Sequence, residues 1–170
     1  AVLFLGVPAA QESEGFDRDN IELPQAQLDL LAAVTAVNSR TVVVLSNGGV
    51  VRLSGLEAFV SAIVEGWLLG QAGGGAVADV LLGAVNPSGR LAETIPVRLE
   101  DSPAYLDFPG EHGHVRYGEG LFVGYRWYDA RKIGVSYPFG HGLSYTTFAY
   151  GEAAAVSDSD GVTVTVTVTN

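Results

Sequence analysis

The sequence predicts an α/β fold built on a mostly parallel sheet and followed by antiparallel β structure. Three patterns predict it: two continuous apolar runs separated by one amphipathic stretch, a glycine-rich connection leading to a second helical face, and a strictly alternating Val/Thr tail. The first run, residues 1–7 (AVLFLGV), is almost wholly apolar and stops at Pro8, as a strand covered on both faces does. Residues 9–22 (AAQESEGFDRDNIE) are polar and acidic without a sustained period, which makes them a loop leaving the strand's C-terminal end. In open α/β sheets that end is where ligands bind.

Pro24 suits the first turn of a helix, and Leu28, Leu31 and Val34 or Thr35 recur at helical spacing until Asn38, so a helix is expected over 24–37. Residues 41–46 (TVVVLS) form a second strand, and Asn47-Gly48-Gly49 turns the chain after it. A strand–helix–strand succession implies parallel pairing through a crossover. A short helical patch is expected near 53–59, a third strand within 61–69 (SAIVEGWLL), and a helix over 75–82, where 76, 77, 80 and 81 share a face. Asn86-Pro87-Ser88-Gly89 is a strong turn, and 98–116 reads as a long surface segment. Further on, 121–128 (LFVGYRWY) and 144–150 (SYTTFAY) are aromatic and rich in β-formers, and 157–161 (SDSDG) turns into a period-2 strand over 162–169. The chain has no Met and opens directly inside a strand, which leads us to expect a piece of a longer protein.

Composition narrows the function. The chain has 170 residues and a formal charge of −10, which argues against nucleic acid as a partner because phosphate binding needs a basic surface. None of its apolar runs approaches the roughly 18 residues that suggest a membrane span, so no membrane partner is expected. Cysteine is absent, so there is no thiol nucleophile and no thiolate metal site. The G-x-S-x-G elbow of serine hydrolases does not occur, and the only lysine, Lys132, lies outside any phosphate-cradling loop. His112 and His114 are two apart on a polar stretch and His141 lies between glycines, so no metal site and no cofactor is called for.

Carboxylates remain. Glu12, Glu14, Asp17 and Asp19 surround Arg18 just past the first strand. A carboxylic acid held near another and partly desolvated can serve as a proton donor at neutral pH, whereas the same charges in an open loop are merely solvated. A second cluster joins Glu119 to Tyr117, Tyr125 and Arg126. Rings beside carboxylates suit sugars, and they equally suit aromatic packing around an Arg–Glu pair.

Seven segments carry a resemblance: ESEGFDR at 12–18, LP at 23–24 with Gln27, VVVLSNG at 42–48, GWLLGQ at 66–71, ADVLLGAVNPSGRL at 78–91, YGEGLFVGYRWYD at 117–129 and YPFGHGLSYTTF at 137–148. In this order and spacing they resemble the C-terminal domain of glycoside hydrolase family 3, the β-glucosidase-like enzymes. The resemblance implies a three-layer α/β sandwich over 1–147 and the beginning of a fibronectin-III-like antiparallel β-sandwich over 148–170. It also implies retaining hydrolysis of a β-glucoside substrate in a site shared with an N-terminal barrel domain, whose aspartate is the nucleophile. On this resemblance the general acid/base maps onto Glu14, with Glu12 the nearest competitor and Glu119 the next. Asp17 and Arg18 match the family's DR pair, expected to shape the loop and aim Glu14, and Phe16 is placed at the leaving-group subsite. The 170 residues alone are then expected to be inactive. The alternatives are a sugar-binding module with Tyr125, Trp127 and Tyr128 as an aromatic platform, or a purely structural domain.

Overall fold

A computed structural model describes residues 1–170. Strands β1 (Val2–Gly6), β2 (Val42–Ser46) and β3 (Ala62–Glu65) form one parallel sheet in the order β1-β2-β3. Helix α1 (Gln25–Val37) connects the first two strands. Pro24 stands one residue outside this helix, accepting from the N–H groups of Gln27 and Leu28, and Asn38 closes it by donating to the Val34 carbonyl. The first three elements therefore fall where the apolar runs and the helical period put them.

The pleat explains the core. Leu5 pairs with Leu45, Leu3 with Val43, and Val43 in turn with Ile63, so these side chains share one face. Leu5, Val43 and Leu45 pack there with Leu31 of α1, Leu23, Ile95, and Val51, Leu53 and Leu56 from the β2–β3 connection. Each such burial stabilises by about 1.5–3 kcal/mol. The other face carries Val2, Phe4, Val44 and Val64; Val44 is buried but Phe4 is 69% exposed. A small α/β domain with three helices and mixed sheets is thus what these residues form. Gly6 ends β1 where a Cβ would collide with the Ser46 carbonyl oxygen, so only glycine lets the strands stay this close.

The patch near 53–59 is a correction. It is a succession of turns, with Leu56 N–H donating to Leu53 O and Phe59 N–H to Leu56 O, and no helix forms. Gly55, at φ +89°, takes a conformation that no right-handed helix contains. After β3 comes α2 (Gly73–Leu81), and then β4 (Ile95–Pro96) and a 3₁₀ turn (Leu99–Asp101).

The segment 121–128 also differs from its β-rich reading. Tyr125–Arg131 is a helix, α3, entered from Gly124 at φ +60° and closed by Lys132 in the left-handed region. Strand β5 (Val135–Tyr137) pairs antiparallel with β4. Of 144–150 only β6 (Ala149–Tyr150) is extended into a strand. The Val/Thr tail divides into β8 (Gly161–Thr165), a hairpin partner of β7 (Ala154–Asp158), and β9 (Val168–Thr169), which pairs with β6. Both faces of the hairpin are exposed, although an alternating strand ordinarily turns one face to a core.

Two recognised motifs turn out to hold one another. The Asn86 side chain donates to Ser144 Oγ at 2.7 Å and accepts from Tyr145 N–H at 2.8 Å, while the Tyr145 hydroxyl donates to the Val80 carbonyl of α2 at 2.6 Å. Leu91 and His141 are joined through their backbones beside this clamp.

Candidate functional site

The three parallel strands end side by side at Gly6, Ser46 and Glu65, and the chain leaving each of them carries the polar groups. After β1, the Pro8 carbonyl accepts from Gln11 and Glu12 N–H and curls the loop back. Ser13 and Phe16 then bridge each other, Phe16 N–H reaching Ser13 O at 3.4 Å and Gly15 N–H reaching Ser13 Oγ at 3.4 Å. Glu14 and Gly15 are the tip of this tight turn. The Glu14 side chain is exposed and takes part in no hydrogen bond or ion pair of the chain.

Glu12, two residues earlier, is held firmly. Its Oε2 accepts from Gly48 N–H and its Oε1 from Gly49 N–H, both at 2.7 Å, and Arg18 Nη1 stands 3.5 Å from Oε1. Desolvation works to raise the Glu12 pKa, but the two N–H groups and the Arg18 charge outweigh it and hold the carboxyl below its ordinary value. The 47–49 turn is fixed in its own right, because the fully buried Asn47 donates from Nδ2 to Gly49 O at 2.9 Å. A Cβ on Gly48 would lie 3.2 Å from the Glu12 carboxyl carbon, so glycine keeps this approach open. The loop after β1 is therefore pinned to the turn after β2 by a carboxylate, and Glu14 projects from the pinned loop. Both Glu12 oxygens are committed to this latch.

The remaining expected residues fall in two groups. Phe16, 48% exposed, and Asp17, also exposed, flank the tip. Arg18 is largely buried, but its contacts go to Glu12 and, at 3.4 Å, to the Val50 carbonyl; it does not grip Glu14. Arg18, expected to aim Glu14, instead meets Glu12 through one nitrogen, while its Nη2 is buried without a partner. Glu119 lies in a separate turn, 118–121, that leads into α3.

The aromatic platform does not form. Tyr125 stacks on Phe139 with centroids 5.0 Å apart, Trp127 donates to Asp101 O and lies under the Arg131 guanidinium at 4.0 Å, and Tyr128 is buried. Tyr125 and Tyr128, three residues apart, share a side of the helix, while Trp127 points away from it. His141 packs against Tyr137 with ring centroids 4.9 Å apart, consistent with a structural turn.

Asn47, Gly48 and Gly49 escaped the sequence reading as members of this site, since they stood out only as a turn after a strand. The available signal was their position: the turn follows the strand next to β1, at the same end of the sheet.

Comparison with known proteins agrees with this architecture. The Glycosyl hydrolase family 3 C-terminal domain profile matches residues 1–145. An exo-α-(1→6)-L-arabinopyranosidase of Bifidobacterium longum is 53% identical over 99% of the chain, and thermostable β-glucosidase B of Acetivibrio thermocellus is 52% identical over 100%. The chain spans only 22% and 23% of these two proteins. Among solved structures, the GH3 β-glucosidase of Bifidobacterium adolescentis superposes with a TM-score of 0.91 at 53% identity, covering 99% of this chain and 25% of that one. The β-glucosidase of Kluyveromyces marxianus in complex with glucose gives a TM-score of 0.85 at 43% identity, covering 91% of this chain and 18% of that one.

Proposed function

Since the chain belongs to glycoside hydrolase family 3, in the region of its C-terminal domain, we propose that it supplies the general acid/base of a retaining glycosidase and that Glu14 is that residue. The observation that carries this reading is the division of labour in the β1 loop. A proton donor must be free to reach a leaving oxygen, and Glu14 stands free at the tip of a turn whose base is locked by Glu12. An exposed side chain on a fixed backbone is what protonation at a defined point in space requires.

The reaction runs in two steps. A carboxylate nucleophile, supplied by a barrel domain outside these 170 residues, attacks the anomeric carbon while the Glu14 carboxyl donates its proton to the departing glycosidic oxygen. Glu14, now ionised, takes a proton from the water that displaces the sugar from the nucleophile. Retention by this route places the two carboxyl groups about 5–5.5 Å apart in the assembled site. Phe16 and Asp17 border the leaving group, and Arg18 acts as a positioning residue through Glu12. The substrate class is a terminal pyranoside with an equatorial leaving oxygen, a geometry that β-glucosides and α-L-arabinopyranosides share. In the assembled enzyme the three-stranded sheet extends into a three-layer sandwich over 1–147, and 148–170 opens a fibronectin-III-like domain.

The test is Glu14→Ala in the intact enzyme. Glycosides with poor leaving groups should lose about 10²- to 10⁴-fold in turnover, activated aryl glycosides much less, and azide should restore rate on the latter. Equal loss on both classes without azide rescue would shift the role to Glu119.

A further inference from the structure

The exit of β3 carries a feature that the acid/base loop does not use. Trp67 holds φ +51°, the left-handed region that favours glycine and is costly for a bulky side chain. Its backbone is kept there by Glu65, whose Oε1 accepts the Trp67 N–H at 2.9 Å, and by Gly66, whose N–H continues the ladder to Leu45 O at 3.0 Å. Glu65 occupies the register position beside Leu45, on the core-facing row, so a carboxyl has been spent in an apolar row to brace this turn.

Strain of this kind persists where the position of a side chain matters. The Trp67 ring is partly buried, but it is not among the side chains packed against the core, and it joins no aromatic stack or cation–π pair. Its indole N–H donates to no group, whereas that of Trp127 is bonded to Asp101 O. The turn therefore sets a partly exposed indole with a free donor at the same end of the sheet as Glu14. The two emerge from β3 and β1, separated by one strand, so their strand ends lie about 10 Å apart, a span on the scale of a sugar unit.

We propose that Trp67 is a specificity-determining residue of this site, its ring stacking on the apolar face of the leaving sugar and its indole N–H donating to one of that sugar's hydroxyls. The assignment to the leaving side rests on the reading of Glu14 given above: a proton donor stands beside the leaving oxygen, and the nucleophile approaches from the opposite face of the anomeric carbon. A ring on the donor's side of the sheet then faces the unit that departs. Aromatic rings with one polar handle suit a pyranose, which offers C–H faces and rim hydroxyls together.

The experiment compares a disaccharide with the glycosyl fluoride of its non-reducing sugar, in the intact enzyme. Fluoride offers no sugar to stack on. Trp67→Ala should lower kcat/KM for the disaccharide about 10- to 100-fold more than for the fluoride, mainly through KM, with Trp67→Phe intermediate. Equal losses on both substrates, or none on either, would overturn the proposal. Trp67→Gly separates a structural role, because glycine takes this φ freely: it should keep the unfolding temperature close to that of Trp67→Ala or above it and show the same disaccharide-selective loss. A Trp67→Gly enzyme that handles the disaccharide like the wild type would also overturn it. Failure of the underlying reading looks different: if Glu14→Ala leaves turnover intact while Trp67→Ala still discriminates the two substrates, the acid/base assignment falls and the sugar-stacking ring stands.

Discussion

The chain up to Pro96 and the chain beyond it are held in different ways. Of the sixteen buried residues, every one but Tyr128 lies between Leu5 and Pro96. The first region closes over an apolar cluster drawn from three strands, a helix and a connection. The later region buries a single residue and attaches through the β4–β5 pairing, through Tyr137 at the margin of the core, and through side-chain hooks such as Asn86 to Ser144 and Tyr145, and Phe139 N–H to Thr94 Oγ1. The contrast teaches that the candidate site stands on the self-supporting region. The later region contributes shape and surface around it.

The sharpest way to break this contrast is a pair of truncations read by denaturant unfolding. Leu45→Ala, at 1% exposure in the core, should cost about 3–4 kcal/mol, whereas Leu106→Ala should stay within about 0.5 kcal/mol. Comparable losses would mean that both regions share one core.

Next in size is the latch. Glu12→Gln keeps the shape but turns an amide N–H₂ toward a backbone donor, at a cost of about 1–3 kcal/mol. Its pH dependence has a fixed sign. The folded pKa lies below that of an ordinary glutamate, so the latch contributes fully above the unfolded chain's pKa and is lost as pH falls through the folded one. Acid titrations of stability should therefore show a shallower fall for Glu12→Gln than for the wild type.

The smallest effect sharpens the contrast from the other side. Asn86→Ala removes two hydrogen bonds between regions and should cost about 1 kcal/mol. Hydrogen exchange should quicken at the Tyr145 amide while the β2 amides keep their protection, and faster exchange at both would show that the hooks support the core.

Much of the self-supporting region could be read directly from sequence, because β1, α1 and β2 each declare themselves by a local pattern of apolar residues. The patch at 53–59 misled because its spacing of apolar residues is helical, while a positive-φ glycine at position 55 breaks any helix. The stretch 121–128 misled for the opposite reason: aromatic side chains favour strands on average, but Gly124 and Lys132 supply the ends of a short helix whose rings find partners far along the chain. For the site, Glu14 and its neighbours were visible as a charged loop at a strand end. The partners that fix them were not, since Gly48 and Gly49 meet Glu12 across 36 and 37 residues and do so with backbone N–H groups that any residue type carries. Trp67 stayed hidden because its backbone angle, and its unpartnered indole N–H, are properties of the folded chain alone.

The carboxylate clasp between the first two strand exits also bears on tempo. On the reading proposed above, a carboxyl that gives a hydrogen ion to the leaving oxygen takes one back from water arriving at the same place, so only a small shift of the side chain is asked of it. With its backbone tethered one residue before the turn begins, Glu14 can make that shift by spinning about its own side-chain bonds, a picosecond-to-nanosecond event for an exposed residue. No segment of the loop then needs to swing, so under the proposed role proton transfer at this position would bring no slow gate with it.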